Sequence, residues 1–488
     1  MHVILSGLAI MLAQAGAADV QRYDVTVHDS PAPTASVTAT ITVSGEYLSV
    51  RNGGNDLPNG FATFVNLKSV RDENGASVGF TRDSVSRWKL SRAVRSAHLE
   101  YDVDFKFARE PWPSGNEQAG QWEAGALYTV TKPLFVIGST DAPAEVAFLL
   151  PAGWRVATPW RSLEGRANTF AVDNEPGLTD NSIVLGRFNQ EKLVAGPFTF
   201  TLATFGRTAG SAALMSKVLN AVAREYMSIF PSTPPTSYLM TVFSGSENDG
   251  EAFAQSFAFR TGEVPTSANS LLWSTTLAHE LFHFWNGHTL RGTDGVASAW
   301  LSEGVTEYYA NRSLLRTGSL PPSAFLAKAE NMAGLYVYFR TQPMFDSVTI
   351  AQAGSRRTRY RFGVYNGGWA MGFALDRQIA MATSGRARLD DVMRELFRRH
   401  SNRTPYTIAE VFEIASNIAG KPMQPFLAKY VEGMDLLPMK DLFASIGIEA
   451  DFISYTGEAY FRFAAHPSPA QQLEWKRYSG TGASHTKE

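Results

Sequence analysis

The sequence predicts an α+β, multidomain protein: a β-rich N-terminal domain, a mixed α/β middle and a helical C-terminal region. Three observations predict it. The chain has 488 residues, 44% of them hydrophobic, enough for two to four domains with sizeable cores. Up to about Gly206, short runs alternate apolar and polar residues, the period of a half-buried strand. From about Ser211 onward, apolar residues recur every three or four positions, the period of a helix. The boundaries that follow are 18–207 for the β-rich domain, 208–385 for the mixed domain, 386–450 for the helical region and 451–488 for a tail.

Each element has a local reason. Residues 3–13 are largely apolar, and Ala13, Ala15 and Ala17 suit a signal peptidase, so 1–17 is read as the signal peptide of an exported protein. Its leading end carries no Lys or Arg, which leaves a buried first strand as the alternative. Runs such as 36–43 and 99–107 read as strands between turn clusters, notably Asn52-Gly53-Gly54-Asn55 and Asp72-Glu73-Asn74-Gly75. A helix over 212–230 stops at Pro231, and a strand over 237–243 leads into a Gly-containing turn over 244–250. Helices over 271–285 and 300–317 end at Asn286-Gly287 and Gly318. Thr407 and Glu410 form a capping box for a helix running to Ala419-Gly420. Residues 468–488 are polar and Gly/Ser-containing, a loose tail.

Composition removes several function classes. Lys and Arg total 44 against 46 Asp and Glu, a net charge of -2, so nothing electrostatic points to nucleic acid or an acidic membrane surface. With no cysteine, disulfides, thiolate metal sites and a thiol nucleophile are excluded. After the N-terminal segment no run approaches the roughly 18 apolar residues a bilayer-spanning helix needs, so no transmembrane segment is expected.

One motif carries most of the chemistry: His279-Glu280-Leu281-Phe282-His283. On a helix, residues at i and i+4 share a face, so both imidazoles can ligate one Zn2+. Glu280, displaced by one residue, reaches a water on the metal instead of the metal itself. Shortly after comes a second apolar helix with Glu303 and Glu307, again at i and i+4. Buried carboxylates need partners. One zinc ion per chain, with His279, His283 and Glu303 as ligands and Glu307 accepting the free ring N–H of a ligand histidine, satisfies all four. Three ligands leave a fourth position for water, the arrangement of a catalytic site. The plainer alternative is two solvated glutamates beside hydrogen-bonded histidines.

HELFHFWN (279–286) followed by WLSEGVTEYY (300–309) resembles the gluzincin zinc metallopeptidases, and among them the glycyl aminopeptidase family more than aminopeptidase N or thermolysin. The stretch from Pro151 to Thr158, Leu185-Gly186, Tyr365-Asn366-Gly367-Gly368 and Leu389-Asp390-Asp391-Val392 extend the resemblance over about 20–450. It implies a thermolysin-like catalytic domain over 208–385, zinc on His279, His283 and Glu303, Glu280 as general base, and Tyr365 stabilising the oxyanion. The implied partner is a peptide substrate; nothing in the sequence sets the oligomeric state.

Two departures from the family stand out. Its upstream strand supplies a carboxylate for the substrate's free amine, and the expected position here falls on Ala252, with Phe253 next. Gly250 and Glu251 are the candidate substrate-binding residues, with Glu247 and Asp249 as further alternatives, but a one-residue shift along a strand turns a side chain to the other face. The family also often carries a C-terminal PDZ domain, for which the residues after about 450 are too few. Arg356, Arg357, Arg359 and Arg361 read as a solvated loop, or as a clamp for a peptide carboxylate. His288 fits neither ligand spacing, and the sequons at Asn311 and Asn402 carry no functional reading. The expectation is a zinc metallopeptidase, aminopeptidase-like on short peptides. The alternatives are an endopeptidase or other hydrolase of the same fold, and a non-catalytic peptide-binding protein.

Overall fold

The structure, a computed structural model, describes residues 20–29, 32–53, 57, 59–138 and 141–480. The signal-peptide reading of 1–17, together with Gly54 and Asn55 of the first turn cluster, lies outside the described residues. The architecture is α+β and multidomain, with strands first and helices last, as the periodicity predicts.

The chain divides into two compact units. The first takes residues up to Asp104, Thr131–Pro151 and Trp160–Asp180. It is built on an eight-stranded sheet whose two longest strands, Thr34–Ser49 and Arg87–Asp104, pair antiparallel. Strand Gln21–His28 buries Tyr23, Val25 and Val27 on one face and leaves Asp24 exposed and Thr26 half-buried on the other, so the alternation in the sequence is the inward and outward alternation of the pleat. The Asp72 turn closes as its composition implies: Asp72 Oδ1 accepts from the amides of Asn74 and Ala76, both at 2.9 Å, and Gly75 takes φ +81°.

The second unit takes Phe105–Val130, Ala152–Pro159 and the described residues from Asn181 onward. The sequence places one boundary near 207, whereas the contacts assign 105–130, 152–159 and 181–207 to the unit that continues to the C-terminus. Strand pairing is long-range, and a change in periodicity along the chain does not report which strands pair. Here Gly120–Glu123, Ala126–Val130, Ser182–Gly186 and Arg155–Ala157 form a four-stranded sheet. A five-stranded sheet follows in the order Asn189–Ala195, Phe198–Thr204, Thr236–Ser244, Ser256–Thr261, Asp249–Ala252. Phe198–Thr204 and Thr236–Ser244 are parallel, so a crossover is required, and helix Ala212–Ile229 provides it. Asp249–Ala252 pairs antiparallel with Ser256–Thr261 and ends the sheet as an edge strand.

The helical part packs around large aromatic side chains. Helix Ser270–Phe282 is tied to Ala212–Ile229 by Tyr226, whose hydroxyl donates to Ala278 O at 2.9 Å and whose ring meets Phe282 edge-on at 4.8 Å. Phe282 also stacks on Tyr309 at 4.6 Å, and Trp285 stacks on Phe230 at 5.2 Å. Burying several aromatics of this size stabilises the helix on one side by several kcal/mol, at roughly 1.5–3 kcal/mol per fully buried side chain, and holds the other side rigid.

Two C-terminal expectations need correcting. Thr407 does cap helix Ile408–Ala419, accepting from Glu410 N at 3.1 Å, and Gly420 closes it at φ +66°. The Glu410 side chain, however, turns to Arg399 and His400, at 3.4 and 3.1 Å. Residues 451–480 are not a loose tail. Ile448–Ile453 and Glu458–Phe463 form a hairpin, and Pro469–Ser479 is a helix with a Ser468/Gln471 capping box. Tyr478 is fully buried, and Glu474 pairs with Arg377 at 3.0 Å and Arg388 at 3.3 Å. The helix is polar on its outer face, which is what makes the segment read as tail. Among the described residues no helix is long and apolar enough to cross a membrane.

Candidate active site

His279 and His283 face the same way from the C-terminal end of helix Ser270–Phe282. His279 Nδ1 lies 2.8 Å from Glu307 Oε2, and His283 Nδ1 lies 2.9 Å from the Asn286 carbonyl. Both partners are acceptors, so each Nδ1 carries a hydrogen, and Nε2 is the nitrogen that each ring turns inward, free to offer a lone pair once a metal displaces its proton. The two Nε2 atoms are 3.0 Å apart. Glu303 Oε2 is 3.5 Å from the first and 3.6 Å from the second. In a tetrahedral site with metal–ligand distances of about 2.0–2.1 Å, ligand atoms lie about 3.3 Å apart, so this triangle has the size of a zinc ligand set. His279 and Glu303 are buried, and the His283 side chain is 12% exposed.

The turn after the motif is part of the site. Gly287 sits at φ +142°, and a Cβ there would come within 3.1 Å of His283 Nδ1. This glycine lets the chain fold back so that the Asn286 carbonyl reaches the ring. The Asn286 amide donates to Leu301 O at 2.8 Å and Thr306 Oγ1 at 3.0 Å, stitching the histidine helix to the segment that carries Glu303.

Glu303 and Tyr365 both sit on widened, π-helical turns, Trp300–Val305 and Phe362–Gly367, each running into a regular helix. Such turns are common at functional sites because the extra residue re-aims a side chain. The two meet backbone to backbone: a Cβ on Gly304 would overlap Gly368 Cα, and one on Gly368 would overlap the Trp300 carbonyl. Small residues here bring the carboxylate and the phenol to one place. The Tyr365 ring lies 6.3 Å from that of His279.

Charge is organised around the triangle. Burial opposes a charged imidazole, yet Glu303 and Glu307 outweigh it and lift His279 to about 10, so the space between the rings favours a positive charge. Burial would raise Glu307, but Lys328, 2.8 Å from Oε1, and His279 hold it well below the usual carboxylate range. Glu303 is likewise held low against burial, by His283, His279 and Arg357, whose Nη2 is 2.6 Å from Oε1. Glu280 behaves differently: burial, partly offset by the two histidines, pushes it up to about 6. Tyr365 is raised by burial and by Glu303.

These groups line a cavity of about 1230 Å³. Gly250, Glu251 and Ala252 of the edge strand, Lys328 and Arg357 belong to its wall, as do His288 and Arg361. Gly250 is pressed against Glu280: a Cβ would lie 2.5 Å from Glu280 Cγ. Phe253, by contrast, is fully buried. The structure therefore brings together His279, Glu280, His283, Glu303, Glu307, Tyr365, Gly250 and Glu251 in one cavity. It also places Asp249 in the lining, 3.9 Å from Arg260, and leaves Glu247 outside. Sequence reasoning did not find Lys328, which lies on helix Pro322–Thr341, far from any motif. Arg357 was visible only as one member of a basic run.

The Peptidase M61 N-terminal domain model matches residues 22–187 and the M61 glycyl aminopeptidase model matches 273–356, together just over half of the chain. No curated relative matches it. Among solved structures, the chain is similar to an aminopeptidase N family protein from Idiomarina loihiensis, with TM-score 0.73 and 19% identity over 88% of this chain and 79% of that one. It is also similar to an M1 zinc metallopeptidase from Deinococcus radiodurans, with TM-score 0.55 and 18% identity over 86% and 95%. A mutant of that enzyme bound to a Tyr-Ser-Ala substrate gives TM-score 0.56 and 17% identity over the same shares, 86% and 95%. At these identities the structural likeness speaks for the fold, while the family models speak for descent, and by them the chain belongs to the M61 peptidase family.

Proposed function

We propose that the protein is a zinc-dependent metallopeptidase, one Zn2+ per chain, acting in an aminopeptidase-like manner on short peptides. The observation that carries this is the inward-facing triangle of two Nε2 atoms and one carboxylate oxygen, 3.0, 3.5 and 3.6 Å on its sides, with the non-ligating Glu280 buried beside it. The M61 match and the zinc metallopeptidases among the solved neighbours support the reading.

His279, His283 and Glu303 would hold the ion. When bound, zinc supplies a Lewis acid that brings the pKa of water to about 7 and polarises a carbonyl. Glu280, one residue round the helix from His279, takes the proton from the attacking water and passes it to the leaving amine. Tyr365 donates its phenol proton to the oxygen that becomes anionic. Glu307 keeps the His279 ring in its ligating tautomer. Glu251, in the cavity wall, is the proposed contact for the free amine, and Gly250 gives the strand its close approach to Glu280.

One observation favours a second reading, an endopeptidase: the position where the family keeps its amine-binding carboxylate is Ala252, in the cavity wall. A buried cation needs a carboxylate. Hydrolysis of one short peptide in free and N-acetylated form, by wild type and Glu251→Ala, separates the two. Loss of activity on acetylation by far more than tenfold, about 1.4 kcal/mol, together with loss of that preference in Glu251→Ala, supports the aminopeptidase reading. Acetylation costing less than about tenfold supports the endopeptidase. No zinc in the purified protein and no hydrolysis of either peptide overturns both.

A further inference from the structure

The basic run before Tyr365 is not uniform. Arg356, Arg359 and Arg361 make no ion pair among the described residues, whereas Arg357 turns into the site. Its Nη2 lies 2.6 Å from Glu303 Oε1, and the Tyr365 hydroxyl accepts from the same Nη2 and from Nε, the latter at 3.2 Å. The guanidinium carbon stands 5.4 Å from the centre of the Tyr365 ring. One planar fork thus touches both the third ligand and the phenol.

We propose that Arg357 is a positioning residue that confines Glu303 to a single ligating oxygen and aims the Tyr365 proton into the cavity. The inference rests on the metallopeptidase reading above. A carboxylate has two oxygens, and a ligand that uses both takes up coordination space that a catalytic site reserves for water. Here Oε2 faces the histidine nitrogens, at 3.5 and 3.6 Å, while Oε1 is engaged by a charge-assisted bond. Guanidinium has donors and no acceptor. Tyr365 must therefore accept in both bonds with Arg357, and its own proton is left to point elsewhere, toward the cavity it lines. A donor fixed before the oxyanion forms needs no reorganisation when it does. Lysine could keep the Glu303 contact but lacks the fork that reaches the phenol as well.

The test uses the full chain loaded with Co2+ in place of zinc, with Arg357→Gln and Arg357→Lys. Arg357 is 52% exposed, so both variants should fold, and thermal melting checks that they do. Cobalt absorption in the visible reports coordination number, strong for four ligands and weaker for five. Expected for Arg357→Gln are retained Co2+ binding, a weakened band from a second Glu303 oxygen on the ion, and kcat lower by about 10²-fold with little change in KM. Arg357→Lys should regain the wild-type band and only part of the kcat. A wild-type cobalt spectrum in Arg357→Gln overturns the proposal whatever happens to kcat, as does full wild-type kcat in that variant. If the wild-type chain itself binds no Co2+, the metal reading fails first and this inference falls with it.

Discussion

Glu307→Gln is the substitution that most directly probes how the proposed ligand set is held. Both oxygens of Glu307 are in use: Oε2 accepts from His279 Nδ1 at 2.8 Å, and Oε1 receives Lys328 Nζ at 2.8 Å. Glutamine offers one acceptor and one donor. In either orientation its amide N–H2 faces a group that can only donate, so one charge-assisted bond is lost. Such bonds contribute about 1.5–3 kcal/mol. If that loss falls on the His279 side it appears as weaker ligation, and about 1.4–2.7 kcal/mol corresponds to roughly 10–100-fold in affinity, the range expected when a ligand histidine loses its orienting carboxylate. The assay is zinc competition against a chromophoric chelator, with circular dichroism to confirm that the fold persists. Lys328→Met leaves the histidine contact intact and should cost less than about tenfold. The double variant should fall short of the sum, because both changes act on one carboxylate. Zinc affinity of Glu307→Gln within twofold of wild type would refute the reasoning and reduce Glu307 to a helix-face residue.

The other expectations are briefer. His283→Ala should lose stoichiometric zinc, whereas Glu280→Gln should retain it and lose about 10²-fold or more in kcat; elemental analysis beside steady-state kinetics checks both, and full zinc occupancy in His283→Ala would sink the ligand assignment. Gly368→Ala places a methyl on the Trp300 carbonyl and against Gly304 Cα, both backbone, and should destabilise by about 3 kcal/mol in urea unfolding; a wild-type unfolding midpoint would show that the two turns can part freely. Asp390→Asn breaks a buried pair with Arg312, whose side chains are 19% and 2% exposed and whose contacts are 2.6 and 3.1 Å, and should cost about 3–5 kcal/mol. Burial opposes the charge on Asp390, but Arg312 holds it below its ordinary value, so its contribution is present above about pH 3.9 and is lost as pH falls through the folded-state value. The gap between Asp390→Asn and wild type should therefore narrow in acid, and a gap constant down to pH 2 would contradict the pairing.

The fold was legible where periodicity is local and strong. The helix expected over 212–230 forms as Ala212–Ile229, and the strand expected over 237–243 as Thr236–Ser244, because amphipathic spacing and Pro231 act within a few residues. Which strands pair was not legible. Ser182–Gly186 lies between Ala126–Val130 and Arg155–Ala157, a neighbourhood created by closures of tens of residues that leave no mark on hydrophobic alternation. The C-terminal helix was missed for a different reason. Its buried Tyr478 and its ion pairs through Glu474 hide among exposed polar residues, so its outward face dominates the composition.

The site shows the same division at finer scale. His279, His283, Glu303 and Glu307 could be read because a helix converts a spacing of four into a shared face, and a shared face is most of what a ligand set requires. What brings the two helices to one point is carried by residues without side chains to read. Gly287 lets the chain return to His283, Gly304 and Gly368 let two widened turns touch, and Gly250 lets an edge strand close on Glu280. In a sequence each is one of 40 glycines, and its meaning is the atom it would otherwise strike. Arg357 and Lys328 are hidden by the converse effect. Their charges neutralise Glu303 and Glu307 from segments 54 and 21 residues downstream, and a cation is recognised as a counter-ion only once its carboxylate is known to be buried beside it. The triangle of two imidazoles and a carboxylate is thus a property of helical spacing. Its electrostatic balance is a property of the tertiary fold, and Glu307→Gln and Arg357→Gln perturb that balance while leaving the spacing untouched.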